Sequence, residues 1–224
     1  MTATASALGK PAARRRLVRL PQWCRLLYRD YRRYRAAGQS ALGTIFLTQG
    51  FWANCVHRAC YALIGATPAG PLRSIVKTLA AVAQKGVEIV TGICIPNKCE
   101  IGGGLHFPRF GAIILSHGAI GENCTIEQNV TLGIAGRGDE RGHPTIGNRV
   151  FIGAGAMIVG KISVGDDAYI FPGSVVTRSV PPRAMVMGYP ARVVSHDGSF
   201  EWIVYDGMEH DAGRRESLEK SVTG

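Results

Sequence analysis

Aliphatic residues recur every six positions through most of the second half of the chain. The three series are Ile95, Ile101, Phe107 and Ile113, then Ile120, Ile126 and Leu132, and then Ile146, Ile152, Ile158, Val164, Ile170 and Val176. Helices and ordinary strands do not produce this spacing, because their side-chain periods are 3.6 and 2 residues. A short fixed repeat is typical of a solenoid, in which each repeat stacks on its neighbours to bury its apolar face. The period therefore predicts a chain that turns a corner every six residues.

The positions between the aliphatic residues suit such corners. Small or β-branched residues lie four positions after many of them, where they let the corners close: Cys99, Cys124, Val130, Val150, Ala156, Ala168 and Ser174. Short polar side chains, which tolerate the backbone angles of tight turns, fall between the predicted strands at Asn97, Asn123, Asn148 and Asp166. We therefore predict a mainly β fold, a triangular parallel β-helix with three six-residue faces per coil.

Three regions are predicted: a basic N-terminal helical region over 1–88, the β-helix over 89–195, and a C-terminal tail over 196–224. The net charge of +10 resides almost entirely in residues 1–40, which carry ten cations and one acid. Within the helical region we expect a flexible tail at 1–12, helices over 21–37, 51–64 and 72–85, and a loop around Gly38 and Gly43. The end of the chain from Gly207 is polar, so a solvated tail is predicted there.

The basic helix has more than one interpretation. Its cations and its Tyr and Trp side chains could contact an anionic membrane surface, or they could form a solvated face that packs on a neighbouring subunit. We favour the packed face. Nucleic acid is not expected as a partner, because no motif that reads RNA or DNA accompanies the charge.

The six cysteines show neither a Cys-x-x-Cys pair nor a zinc-type spacing with His. Buried free thiols in a reducing compartment are therefore expected, and no metal site is. No signal peptide is evident, and polar residues interrupt the apolar stretch over 41–64. A cytoplasmic location follows as the expectation, with peripheral membrane contact as an addition to it.

The repeats are interrupted before the third series. Leu132 and Ile146 are 14 residues apart, two complete sixes plus two, so the segment 135–144 (AGRGDERGHP) is predicted to be an extruded loop. Loops on rigid scaffolds are where binding and catalytic residues concentrate. The loop is therefore a candidate for the functional site.

Several motifs resemble those of hexapeptide-repeat acyltransferases, in the branch of serine O-acetyltransferases and polysaccharide O-acetyltransferases. They are 101–113 (IGGGLHFPRFGAI), 120–133 (IGENCTIEQNVTLG), 142–147 (GHPTIG), 152–156 (IGAGA) and 188–192 (GYPAR). The resemblance covers about 72–195. It implies a left-handed β-helix, homotrimers that the N-terminal helices could join into a dimer of trimers, sites between subunits, and direct transfer from acetyl-CoA to a hydroxyl.

The catalytic pair that the resemblance implies is missing. Arg109 stands where a His acts as general base, and Cys94 stands where a carboxylate orients it. Arg cannot act as a base near neutral pH, because its pKa exceeds about 12. Pro108 replaces the Asp of serine-specific enzymes. These replacements count against L-serine as the acceptor.

Two histidines are candidates to replace the base, since an imidazole can remove a hydroxyl proton near neutral pH. His143, which matches a loop His of the acceptor site, is preferred, and His106 is second; His117 and His57 are expected to be ordinary. Arg109 and Arg141 are predicted to bind the acceptor. The resemblance assigns the acetyl-CoA groove to Gly153, Ala154, Gly173 and Arg192, although Pro172 removes an amide donor there.

We therefore predict an acetyl-CoA-dependent O-acetyltransferase that acts on a saccharide hydroxyl. Serine O-acetylation is the alternative within the same enzyme class. A catalytically inactive prism that binds or assembles with a partner is the alternative outside it, because fold does not fix function.

Overall fold

Four helices precede the repeats in the computed structural model, which describes residues 21–222. They are α1 (Gln22–Ala36), α2 (Ala41–Leu47), α3 (Gln49–Ala66) and α4 (Pro71–Thr91). Helices α1, α3 and α4 correspond to the three predicted helices. Helix α2 lies where a loop is predicted, and Ser40 begins it by accepting a hydrogen bond from the Gly43 amide at 3.0 Å. The tail predicted over 1–12 lies outside the described residues.

Fourteen short strands follow, and they form three sheets. The strands are β1 (Ile93–Cys94), β2 (Glu100–Ile101), β3 (Ile113–Ile114), β4 (Ala119–Ile120), β5 (Thr125–Ile126), β6 (Thr131–Gly133), β7 (Thr145–Ile146), β8 (Phe151–Ile152), β9 (Met157–Val159), β10 (Ser163–Val164), β11 (Tyr169–Ile170), β12 (Val175–Val176), β13 (Met185–Gly188) and β14 (Ala191–Ser195). Sheet A has the order β1-β3-β6-β9-β12, sheet B the order β2-β4-β7-β10, and sheet C the order β5-β8-β11-β13-β14. The chain visits sheets A, B and C in turn, which produces a three-sided prism.

The strand register confirms the six-residue period. Neighbouring strands pair in parallel and place equivalent aliphatic residues side by side, as with Ile126 and Ile152. Only the final pair, β13 and β14, is antiparallel. All the small residues predicted at inward positions are buried, and the aliphatic series forms one continuous core. The stacking of six-residue faces that the period predicts is therefore confirmed.

The turn residues divide their roles in a way that the sequence does not indicate. Asn123 adopts a left-handed conformation as predicted, with φ 57°. In the later coils the left-handed residues are Arg149 and Asp167, one position after the predicted ones. Asn148 and Asp166 instead accept backbone amides of the preceding turns with their side chains. Stacked polar side chains thus tie successive corners together.

The basic face of α1 packs on the prism of its own chain. Arg29 donates to both carboxylate oxygens of Glu122 at 2.5 and 2.8 Å, and Arg32 pairs with Asp206. Arg33 is buried and donates to the Thr125 hydroxyl at 2.8 Å. The charge of this helix therefore serves to attach it to sheet C and to the C-terminal segment.

The predicted boundaries need two corrections. Helix α4 continues to Thr91, and Gly92, with φ 67°, ends it directly before β1, so the helical region extends past residue 88. The C-terminal segment is folded: Phe200, Ile203 and Tyr205 are buried before Gly207, and the tail predicted from Gly207 contains a helix, α5 (Ala212–Val222), whose described side chains are mostly exposed. Trp202 packs against Tyr169 of sheet C, with ring centroids 4.4 Å apart.

All six cysteines are free. No helix within residues 21–222 combines the length and the apolar character that crossing a bilayer requires.

Candidate functional site

The predicted site residues occupy two different corners of the prism. Corner CA comprises the turns that lead from sheet C to sheet A, at 108–112, 127–130, 153–156 and 171–174. Corner AB comprises the turns that lead from sheet A to sheet B, at 95–99, 115–118, 134–144, 160–162 and 177–179. Arg109, Gly153, Ala154 and Gly173 lie on corner CA, whereas Arg141 and His143 lie on corner AB. Sheet A separates the two sets within one chain.

His106 lies at neither corner, and the structure contradicts its predicted catalytic role. It is buried at sheet C beneath α1, where its ring contacts that of Tyr34 at a centroid distance of 4.7 Å. Burial, together with the nearby charge of Arg33, lowers the pKa of His106 to about 3. A sealed imidazole cannot reach a substrate hydroxyl. The sequence could not reveal this, because it does not show that α1 covers this face.

The loop predicted over 135–144 is present on corner AB. Leu132 and Ile146 lie on successive faces, where six residues would suffice, so the 14-residue spacing contains eight extra residues. Reciprocal backbone hydrogen bonds between Ala135 and Gly142, at 3.0 and 3.3 Å, close the base of the loop. The Lys161 ammonium donates to the Asp139 carbonyl at 3.1 Å and fixes the tip. The loop is therefore held to the prism, and exposed Arg141 projects from it.

The return of the loop places His143 beside His117. The two rings are 5.5 Å apart between centroids. This approach depends on Gly118, since a Cβ there would lie 2.0 Å from the Pro144 carbonyl oxygen. His143 is half-buried, and its Nδ1 has no hydrogen-bond partner among the residues described. An ordinary role is predicted for His117, although its position, in the turn one coil before the extruded loop at the same corner, is a signal for the pairing with His143.

His117 is exposed, and its environment favours the neutral imidazole. Partial burial lowers the pKa of His117, and the charges of His143 and Lys98 lower it further. Lys98 belongs to the turn of the preceding coil at the same corner. Corner AB thus presents two imidazoles and a lysine close together.

Arg109 is exposed on corner CA beside a cleft of about 480 Å³. The cleft is lined by Leu47 and Gln49 from the helices and by Phe110 and Gln128 from the corner itself. Burial raises the pKa of neighbouring Glu127, and the charge of Arg109 opposes that change. The Arg109 guanidinium is accessible from the cleft, so its predicted binding of an anionic acceptor is sterically open.

The predicted donor groove lacks two of the amides assigned to it. The Gly153 amide donates to the Ile170 carbonyl at 2.8 Å, and the Gly173 amide donates to the Ala154 carbonyl at 2.8 Å. Both amides therefore hold the coils together and are not free for a ligand. Arg192 is exposed on β14, and among residues 21–222 its guanidinium donates to the Ala191 carbonyl, at 3.3 Å. Arg192 thus remains available for the nucleotide end of a donor.

The position of the missing carboxylate also has a defined environment. Cys94 lies in β1, and burial raises the pKa of its thiol, as does the adjacent Glu88 carboxylate of α4. Glu88 in turn accepts a hydrogen bond from Lys85 at 2.8 Å. A protonated thiol cannot orient a base as a carboxylate does, so the usual pair is not rebuilt at this place. Within residues 21–222 no group of three or more His, Cys, Asp or Glu side chains is arranged to hold a metal ion.

Comparisons with known proteins decide the family. A model of the bacterial transferase hexapeptide family (six repeats) matches residues 143–178. A serine acetyltransferase of Mycobacterium tuberculosis is 34% identical over 176 residues, which cover 76% of this chain and 73% of that protein. The chain belongs to the serine acetyltransferase family.

Solved structures agree. The crystal structure of a serine acetyltransferase from Brucella abortus matches with a TM-score of 0.69 and 30% identity, over 80% of this chain and 71% of that one. A serine acetyltransferase in complex with CoA matches with a TM-score of 0.65 and 30% identity, over 77% and 69%. These matches confirm two predictions: the left-handed β-helix fold and the assignment to the hexapeptide-repeat acyltransferases. They also confirm the acetyltransferase class, for which acetyl-CoA is the acyl donor.

Proposed function

We propose that the protein transfers the acetyl group of acetyl-CoA to the hydroxyl of L-serine. The relatives from M. tuberculosis and Synechococcus elongatus, and the solved structures that match, are named serine acetyltransferases. None of these proteins is named for a saccharide acceptor, which is the acceptor that the sequence predicts. The comparisons likewise favour an enzyme over the catalytically inactive prism.

A saccharide hydroxyl is the second candidate, and one observation favours it. Pro108 and Arg109 occupy corner CA where the resemblance implies an Asp and a His. The Arg109 guanidinium opens onto the cleft beside Phe110 and Gln128, which has room for an acidic sugar. An acceptor that carries a carboxylate and no ammonium group therefore suits this corner better than zwitterionic L-serine does.

The active unit that we propose is a homotrimer with its sites between copies. The observation that carries this proposal is that corners CA and AB flank sheet A, so their residues meet only if corner CA of one copy faces corner AB of another. No described helix covers sheet A, which exposes Ile114 and Met157 to about half of their area. Closed rotational symmetry is the usual way to repeat such a heterologous contact.

Further contacts of the helical region are proposals of lower rank. Helix α4 exposes an apolar stripe at Leu72, Ile75, Leu79 and Val82, which supports the predicted pairing of trimers through N-terminal helices. Membrane contact through α1 loses support, because Arg29, Arg32 and Arg33 are engaged within the chain. We propose a cytoplasmic location, where acetyl-CoA is available and thiols stay reduced.

The chemistry that this site would perform is direct acyl transfer. The acceptor oxygen attacks the thioester carbonyl while an imidazole of corner AB takes its proton. The tetrahedral intermediate then collapses, its C–S bond breaks, and the imidazolium returns the proton to the departing CoA sulfur. His143 is the imidazole predicted from the sequence, and Arg141 on the same loop would hold the carboxylate of the acceptor.

Release of free CoA thiol from acetyl-CoA tests this function. We expect release that depends on L-serine and is absent with L-alanine, which lacks the hydroxyl. Release only with an acidic saccharide would replace serine by the second candidate. Absence of release with every hydroxyl acceptor, at protein concentrations that bind acetyl-CoA in calorimetry, would refute the proposed function.

A further inference from the structure

The chain needs a general base that the usual position does not provide. Of the six histidines, His57 and His106 are buried, and His196 and His210 lie in the C-terminal segment. Only His117 and His143 therefore offer imidazoles at a corner of the prism that faces another copy in the proposed trimer. This inference rests on the proposed function and asks which of the two rings removes the proton.

The geometry points to His117 as the general base, with His143 as the ring that positions the acceptor beside it. His117 lies in the turn between β3 and β4, which pair with neighbouring strands on both sides. His143 lies on the returning arm of an extruded loop. A base has to be held within a few tenths of an ångström of its target, and the turn of a rigid coil satisfies that need better than a loop.

The level of His117 along the prism supports the assignment. Arg109, which occupies the usual base position, and His117 flank the same strand, β3. In a trimer whose prism axes run parallel to the three-fold axis, equivalent coils lie at the same level, because rotation about that axis shifts nothing along it. Arg109 of one copy therefore faces the His117 corner of the next copy. The His117 imidazole of one copy therefore lies at the same level as Arg109 of the next, which stands where the resemblance implies the base.

The charges around His117 fit a base that works near neutral pH. The groups that act on its ring are Lys98 from the preceding turn and His143 from the loop, and both repel a proton. Partial burial acts in the same direction, so the pKa of His117 lies below its ordinary value. At a given pH near 6.5, a larger fraction of His117 is therefore neutral and able to accept a proton than of a free imidazole.

The test compares His117→Gln with His143→Gln in serine-dependent thiol release. We expect His117→Gln to lower kcat by about 10²-fold, the usual contribution of a general base. We expect His143→Gln mainly to raise the KM for the acceptor, by roughly tenfold, because it removes a binding contact. The exposed His196→Gln is the matched control and should leave both constants unchanged.

The pH profile provides a readout that a structural role would not affect. The acid limb of kcat/KM should lie below pH 6.5 in the wild type and should move to higher pH in Lys98→Gln, since that change removes a cation that repels the proton. Arg178→Gln, three coils beyond His117 along corner AB, should not move it. An unmoved limb in Lys98→Gln, or near-normal kcat in His117→Gln, would refute the assignment while leaving the acetyl transfer itself established. Absence of transfer by the wild type would refute both.

Discussion

At the scale of single residues, the buried ion pair between Asp30 and Arg58 joins α1 and α3 to the first coil. The Asp30 carboxylate accepts two hydrogen bonds from the Arg58 guanidinium, at 3.0 and 3.1 Å, and two more from the backbone amides of Gly104 and Leu105. Arg58 donates further to the carbonyls of Ile101 and Gly102. Every polar atom of the pair is therefore engaged in a place that water does not reach.

Breaking this pair should be costly. Asp30→Asn leaves the Arg58 charge buried and unpaired, and we expect it to reduce the free energy of unfolding by about 3–5 kcal/mol. Asp206→Asn, which removes a half-exposed partner of Arg32, is the control and should cost less than about 1 kcal/mol. Urea denaturation measures both. Equal losses in the two variants would show that the buried pair does not fix the helices.

The buried histidines make stability depend on pH. Burial lowers the pKa of His57 to about 4 and that of His106 to about 3, whereas both rings bind a proton near pH 6.5 in the unfolded chain. The unfolded state therefore takes up protons first as the pH falls below 6.5. Each ring should reduce stability by up to about 1.4 kcal/mol per pH unit between pH 6.5 and its folded pKa.

Thermal unfolding across pH 4 to 8 checks this expectation. The unfolding temperature should be level above pH 7 and should decrease towards pH 4. His106→Gln should reduce the slope, and the exposed His196→Gln should leave it as in the wild type. A flat profile in the wild type would contradict the burial of these rings.

At the scale of elements, the period predicted the coils well because the prism is built from local repetition. Ile126 and Ile152 occupy equivalent places whatever surrounds the prism. The helical region has no such repetition, and Gly43 suggests a break unless the cap by Ser40 is noticed. The spacing of the repeats does not distinguish His106 from His117. His106 is buried because α1 packs over sheet C, whereas no described helix covers His117. The identity of the site therefore depends on tertiary contacts that spacing does not encode.

The extruded loop offers a test at the same scale. Residues 136–141 can be replaced by Asn-Gly, a two-residue turn that suits the hydrogen-bonded pair Ala135 and Gly142. The prism should retain its unfolding temperature to within a few degrees, because the coils do not depend on the loop tip. Acetyl transfer should decrease at least tenfold, since Arg141 is lost and His143 is less well held. Full activity in a stable shortened variant would remove the loop from the acceptor site.

At the scale of the whole molecule, the packing of the helices decides which face is free. Helix α1 and the C-terminal segment cover sheet C, through Arg33 and Trp202 among others. Sheet A remains uncovered, and the two halves of the proposed site lie in the turns at opposite ends of its strands, at corners CA and AB. A single chain therefore holds all the parts of the site without bringing them together.

Complementation between two inactive variants tests this central claim most directly. His117→Gln removes the proposed base from corner AB, and Ala154→Trp fills corner CA with a bulky ring. Each variant alone should form inactive trimers. In mixed trimers, an interface is intact when its corner CA comes from the His117→Gln chain and its corner AB from the Ala154→Trp chain. Random mixing produces this arrangement at about a quarter of the interfaces, so about a quarter of the wild-type rate of acetyl transfer should return. Activity of the mixed trimers no greater than that of the separate variants would contradict a site shared between copies.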